Sequence, residues 1–184
     1  DIFCFNVESL AELEVINELA AAKQKVASVA LRINPEVDAH THAKITTGMK
    51  ENKFGINLGK LQGVMDRLTQ IEHIKLIGIH CHIGSQITDM SAFRNLTIRI
   101  NEIQEELEAR GITVPNLNLG GGLGIDYYHP NHLSIPSFDN YFAAIHHLLE
   151  QRPGQQVHFE PGRSIVAQCG TLISRVLYVK EGDT

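Results

Sequence analysis

Short apolar runs alternate with helix-patterned segments along this chain, and most of the apolar runs lead into a polar or glycine-rich cluster. That alternation restricts the fold more than any other feature. Ile2–Val7 carries Phe3 and Phe5 in alternation, and Ser9-Leu10-Ala11-Glu12 has the form of a capping box. Leu10, Leu13, Ile16, Asn17 and Ala20 then recur at helical spacing and predict a helix over Ser9–Ala22. Val26–Ile33 is an apolar run closed by Asn34-Pro35, read as a strand buried on both faces. Further strands are predicted over Lys75–His80, Leu117–Leu119 and Val157–Glu160. Further helices are predicted over Lys60–Leu68, Ser91–Arg110 (stopped by Gly111) and Asp139–Glu150. Helical crossovers between strands imply parallel pairing.

An open doubly wound sheet and a (β/α)8 barrel both satisfy this pattern. The strand ends favour the barrel. Arg32-Ile33-Asn34, His80-Cys81-His82, Gly120-Gly121-Gly122 and Glu160-Pro161-Gly162-Arg163 all follow strands. A barrel gathers every such end at one mouth, whereas an open sheet gathers only those at its switch point. The expected fold class is α/β, a partial (β/α)8 TIM barrel. A complete barrel takes roughly 250 residues, so 184 should hold roughly five of the eight strands and be truncated at both ends. Residues 1–171 are expected to form the barrel segment. Leu172–Val179 reads as a strand, and residues 172–184 as the end of the barrel domain leading into a β-rich one. Glu36–Gly55 is polar and aperiodic, which predicts a functional loop or lid.

Composition narrows the function. The net charge is −5 with ten histidines counted neutral, so no basic excess exists to hold nucleic acid. No apolar run approaches the roughly 18–20 residues of a membrane span. Cys4, Cys81 and Cys169 are an odd, scattered set, which fits a reducing compartment better than a disulfide framework. Cys81 and Cys169 are expected to be small buried fillers.

Three clusters can carry chemistry, each with a plainer alternative. Gly120-Gly121-Gly122-Leu123-Gly124 lacks both the dinucleotide spacing and the Gly-Lys-Ser/Thr of a P-loop. Its backbone can approach a phosphate closely, or it is only a tight turn. Glu160 and Arg163, held apart by Pro161 and Gly162, can face one ligand from two sides or form a local ion pair. Arg suits an oxyanion and Glu a protonated ring nitrogen. His80 and His82, at i and i+2 of a strand, can be metal ligands, as can His40 and His42 in the loop. Otherwise one His80–His82 imidazole packs and the other bonds backbone, or His82 lies flat on a ring cofactor with Ser85 on its phosphate. Lys44 and Lys53 have polar neighbours and no evident desolvating pocket, so they read as solvated or salt-bridged rather than imine-forming.

Together these stretches resemble the alanine-racemase-like, fold type III pyridoxal-phosphate decarboxylases. The resemblance runs in order through Phe5–Ser9, Arg32–Pro35 with Val37-Asp38-Ala39, Lys44 to Gly48, Lys53–Ile56, His80–Gln86 (HCHIGSQ), Leu119–Gly124 (LGGGLG) and Glu160–Ser164 (EPGRS). The segment Arg32–Ile56 and Gln86 favour the diaminopimelate branch over the ornithine and arginine branches. The resemblance implies pyridoxal 5'-phosphate as cofactor and an amino acid as substrate. It also implies a homodimer in the cytoplasm and a site without metal, while charge and hydropathy already argue against nucleic acid and membrane partners. His82 would stack on the ring, and Ser85, Gly120, Gly121 and Gly122 would hold the phosphate. Glu160 would pair with the ring nitrogen. Pro161, Gly162 and Arg163 would complete the cup, with Arg163 also reaching a substrate carboxylate. Arg32 would lie near the cofactor, and Lys53 at a dimer contact. The Schiff-base lysine of the family is expected upstream of Asp1, so no catalytic residue is assigned here and these residues alone are expected to be inactive. The competing readings are a metal-dependent barrel hydrolase using His80 and His82, and a non-catalytic regulatory homologue.

Overall fold

A computed structural model describes residues 2–37, 54–129 and 137–182. The strands are β1 (Phe5–Val7), β2 (Ala27–Asn34), β3 (Ile56–Asn57), β4 (Ile74–His80), β5 (Asn116–Asn118) and β6 (Gln156–His158). The helices are α1 (Leu10–Ala22), α2 (Leu58–Leu68), α3 (Met90–Glu108), α4 (Phe138–His146) and α5 (Gly162–Val166). Local chemistry sets their ends. Ser9 Oγ accepts the Glu12 amide at 3.1 Å, as the capping box predicts, while Glu12 Oε2 reaches back one residue farther than the N-cap and accepts the Glu8 amide at 2.8 Å. Asp89 caps α3 by accepting from the Ser91 amide, and Gly111 follows that helix at φ +75°.

Every strand pairing is parallel, in the order β1-β2-β4-β5-β6, with β3 bonded to β2 beside that path. The order never reverses. Right-handed crossovers in one direction put the connecting helices on one face of the sheet. A doubly wound sheet reverses at its switch point. The sheet is therefore an arc of a (β/α) barrel, with the outer edges of β1 and β6 unpaired among the described residues.

The two faces differ in chemistry. Val29, Leu31, Ile33, Ile79 and Leu117 are at most 1% exposed and pack with Leu13, Phe93, Leu96 and Ile100 in the core. The opposite parity carries Arg32, His80, Asn118 and His158, which the register places in one row across β2, β4, β5 and β6. Between Val29 and Ala30 the register shifts by one residue, skipping Ile77 of β4, so that Ala30 faces Gly78 and Arg32 faces His80.

Some expectations shift. Leu172–Val179 forms no strand, and its large apolar side chains are 75–94% exposed. A ladder needs a neighbouring strand, and the described residues supply none. The helix expected over Asp139–Glu150 ends at His146, and Glu160 lies beyond the end of β6. Strand β3 and helix α5 carry too few residues for a legible period. Most of the polar loop, with His40, His42, Lys44 and Lys53, lies outside the described residues.

Candidate active site at the strand tips

Parallel hydrogen bonding continues past the ends of β4, β5 and β6 and ties their tips together. The Cys81 amide donates to Asn118 O (2.8 Å), the Leu119 amide to His158 O (3.0 Å), and the Glu160 amide to Gly120 O (2.8 Å). Farther out, the Ile87 amide donates to Gly122 O and the Gly124 amide to Ile87 O, both at 2.8 Å. The glycine run sits at the centre of this junction. A Cβ on Gly120 would lie 2.4 Å from Cys81 O, on Gly121 1.9 Å from Glu160 O, and on Gly122 2.3 Å from Gly84 O. All three contacts are with backbone, which has little room to move. Gly120 and Gly122 also hold φ +66° and +101°, which disfavour L side chains.

The glycine amides are committed unequally. Gly120 donates to Asn118 Oδ1 at 2.9 Å, and Gly121 donates to His82 Nδ1 at 3.3 Å. Among the described residues, no hydrogen bond uses the Gly122 amide or the Ser85 hydroxyl. Because Nδ1 of His82 accepts, that imidazole is neutral with its proton on Nε2. Burial holds its pKa below the usual value, and the nearby Arg32 charge acts in the same direction.

Glu160 and Arg163 do not pair with each other. Glu160 turns inward, where its Oε1 accepts from Asn118 Nδ2 at 2.8 Å and its Oε2 lies 3.7 Å from His80 Nε2. Arg163 opens away on α5, donating from Nη1 to Tyr127 Oη at 2.9 Å and to Gln86 Oε1 at 3.3 Å. Its guanidinium also lies 5.8 Å from the Tyr127 ring centre. The bend is built by Pro161 at the N-cap of α5 and by the Gly162 amide donating back to Glu160 O at 2.8 Å. Gln86 clamps the neighbouring loop, exchanging hydrogen bonds with the Ile125 carbonyl and amide. Arg32 is bound to Glu8, which also accepts the Gly55 amide, and Arg32 stacks on Phe54.

His80 differs from His82. It is 4% exposed, and neither ring nitrogen makes a hydrogen bond among the described residues. Burial pulls its pKa to about 4 against the opposing pull of Glu160, so at neutral pH the 3.7 Å approach is not an ion pair. No group of three or more His, Cys, Asp or Glu that could hold a metal occurs among the described residues. Cys81 is buried, which pushes its thiol up to about 12, whereas Cys169 is exposed and is not the buried filler its neighbours suggested. It follows the short helix α5, whose Ile165 and Val166 are also exposed. Asn118 and Tyr127 also belong to the site, although no sequence motif marks them. The signal for Asn118 is its register with His158, two residues before Glu160, on the adjacent parallel strand.

The assembled set has two ends. Ser85, the Gly122 amide and Arg163 provide donors suited to an anion such as phosphate. Glu160 provides an anion suited to a protonated nitrogen, and His82 offers a flat ring joined to the glycine run. These donors, and a glycine junction that no side chain could enter, fit a phosphorylated heteroaromatic ring.

Residues 1–167 match the family described as "Pyridoxal-dependent decarboxylase, pyridoxal binding domain". A diaminopimelate decarboxylase of Bacteroides thetaiotaomicron is 60% identical over 98% of this chain and 47% of its own length. One from Haemophilus influenzae is 42% identical over 100% of this chain and 43% of its own. Among solved structures, a diaminopimelate decarboxylase from M. jannaschii aligns with TM-score 0.79 and 40% identity, covering 90% of this chain and 39% of that one. Another, from Helicobacter pylori in complex with L-lysine, aligns with TM-score 0.79 and 32% identity, covering 89% and 41%. The chain spans about half the length of the curated relatives it matches.

Proposed function

The chain belongs to the pyridoxal-dependent decarboxylases through their pyridoxal-binding domain, and from that premise we propose that it carries the cofactor cradle of an enzyme converting meso-diaminopimelate to L-lysine. The observation that supports this reading is the single junction joining His82, the Gly120–Gly122 run and Glu160 at adjacent strand tips. Ser85, the Gly122 amide and Arg163 would bind the phosphate of pyridoxal 5'-phosphate. Gly120 and Gly121 would serve by close approach, since their amides are committed to Asn118 and His82. Pro161 and Gly162 would hold the bend between acid and guanidinium. The bound cofactor supplies a conjugated ring that takes up the electron pair left behind by carbon dioxide.

The chain's residues do the rest. Glu160 favours the protonated ring nitrogen, and a charge-assisted hydrogen bond of that kind contributes about 1.5–3 kcal/mol. Expressed only in the transition state, this is roughly one to two powers of ten in rate. His82 holds the ring plane and excludes water from one face. Arg163, steadied by Tyr127 and Gln86, also suits a substrate carboxylate. A cytoplasmic homodimer, with residues 172–184 leading into a second domain, belongs to the same reading.

The test is to incubate the protein at its natural length with pyridoxal 5'-phosphate and to assay carbon dioxide release from meso-diaminopimelate, ornithine and arginine. Diaminopimelate should be turned over fastest, with L-lysine as product. Preference for ornithine would move the substrate assignment, and failure to bind the cofactor would sink the reading.

A further inference from the structure

We propose that His80 is a positioning residue for Glu160: its imidazole N–H and the Asn118 amide hold the two carboxylate oxygens and aim that carboxylate at the ring nitrogen. This rests on the reading of Glu160 given above.

His80 closes β4 and stands in register with Arg32 on one side and Asn118 on the other. Its two ring nitrogens are buried and make no hydrogen bond among the described residues. A buried donor without a partner costs stability, so natural cores rarely keep one without another use. Glu160 Oε2 is the oxygen facing it, 3.7 Å from Nε2, while Glu160 Oε1 is already fixed by Asn118. A movement of roughly 0.7 Å brings Nε2 to the usual N–H···O separation of about 3.0 Å. The carboxylate is half-exposed toward the open face, so it has room to make that movement.

The charged and titratable groups acting on His80 are Glu160 and Glu8, which favour its proton, and Arg32 and His82, which oppose it. Burial outweighs all of them and keeps the imidazole neutral near pH 7. Neutrality matters here. A neutral N–H orients the carboxylate and leaves its full charge for the ring nitrogen. An imidazolium in the same place would neutralise it.

The experiment uses the protein loaded with pyridoxal 5'-phosphate and compares H80L, H80Q, E160Q and H80L/E160Q. Cofactor affinity is measured by absorbance titration, and the visible spectrum of the bound cofactor is followed against pH. H80L removes the donor and should weaken binding about tenfold, the scale of one hydrogen bond to a charged group. It should also move the spectral transition to lower pH. H80Q, which returns an N–H, should restore both to within about twofold. In the E160Q background H80L should add nothing further. The proposal is overturned if H80L keeps the original affinity and pH profile, or if its effect persists undiminished beside E160Q. Should H80L not fold, 15N NMR of the unsubstituted protein decides: a neutral ring with its proton on Nε2 is expected, and a proton on Nδ1 overturns the proposal. A spectrum unchanged in E160Q alone overturns the ring-nitrogen assignment itself, and this inference with it.

Discussion

Asn118 donates its side-chain amide to Glu160 Oε1 at 2.8 Å, while the oxygen of the same side chain accepts the Gly120 amide at 2.9 Å. One residue on β5 therefore sets both the acid at the tip of the next strand and the entry into the glycine turn. Asn118→Asp keeps the acceptor for Gly120 but turns a second carboxylate toward Glu160. It should weaken pyridoxal 5'-phosphate binding about tenfold at pH 8, the scale of one lost charge-assisted bond. An absorbance titration measures this, and a loss under about twofold would show that Glu160 is not held from the β5 side.

The glycine junction makes a stability prediction with an internal control. Gly121→Ala drives a Cβ into the Glu160 carbonyl and should destabilise by about 3 kcal/mol or more, because only backbone can yield. Gly63→Ala, inside α2 with nothing within 4 Å of the new Cβ, should instead stabilise by about 0.5–1 kcal/mol. Denaturant midpoints of the two variants should move in opposite directions.

Tyr141 is fully buried, its ring stands edge-on to Phe93 at 4.7 Å, and its hydroxyl has no partner among the described residues. Burial pushes that phenol well above its ordinary pKa. Tyr141→Phe keeps the ring contacts and removes the stranded hydroxyl, so the protein should gain about 1 kcal/mol. A lower melting temperature would mean the hydroxyl is bonded in solution.

Acid should destabilise the fold in a defined window. The folded-state pKa of His80 lies near 4, below its value of 6.5 when unfolded, so the unfolded chain takes up the proton first. Its contribution is full above about pH 6.5, falls as pH drops toward 4, and is flat below. The span is on the order of 3 kcal/mol. His82, shifted in the same direction, adds to it. Guanidinium midpoints between pH 7 and 4 should fall, and the fall should be smaller in His80→Gln. An equal fall in that variant would assign the acid sensitivity to other groups.

Much of the architecture was legible in the residues. Apolar runs separated by helical periods specify parallel strands with crossovers, and Ser9 with Glu12 marks the start of α1 because a capping box satisfies specific amides. Leu172–Val179 has the composition of a strand but no partner among the described residues, and strand formation depends on the partner.

The sequence by itself determined the alternation, the polar strand ends and the cluster set of His82, Ser85, Gly120–Gly122 and Glu160–Arg163, because periodicity and residue chemistry are local properties. Tertiary structure alone decided how those groups divide their bonds. Glu160 turns to Asn118 and faces His80 rather than pairing with Arg163, and two of the three glycine amides are used internally. The physical reason is register: residues some 40 positions apart meet only when parallel strands align, and a hydrogen bond across a sheet leaves no trace in either strand alone.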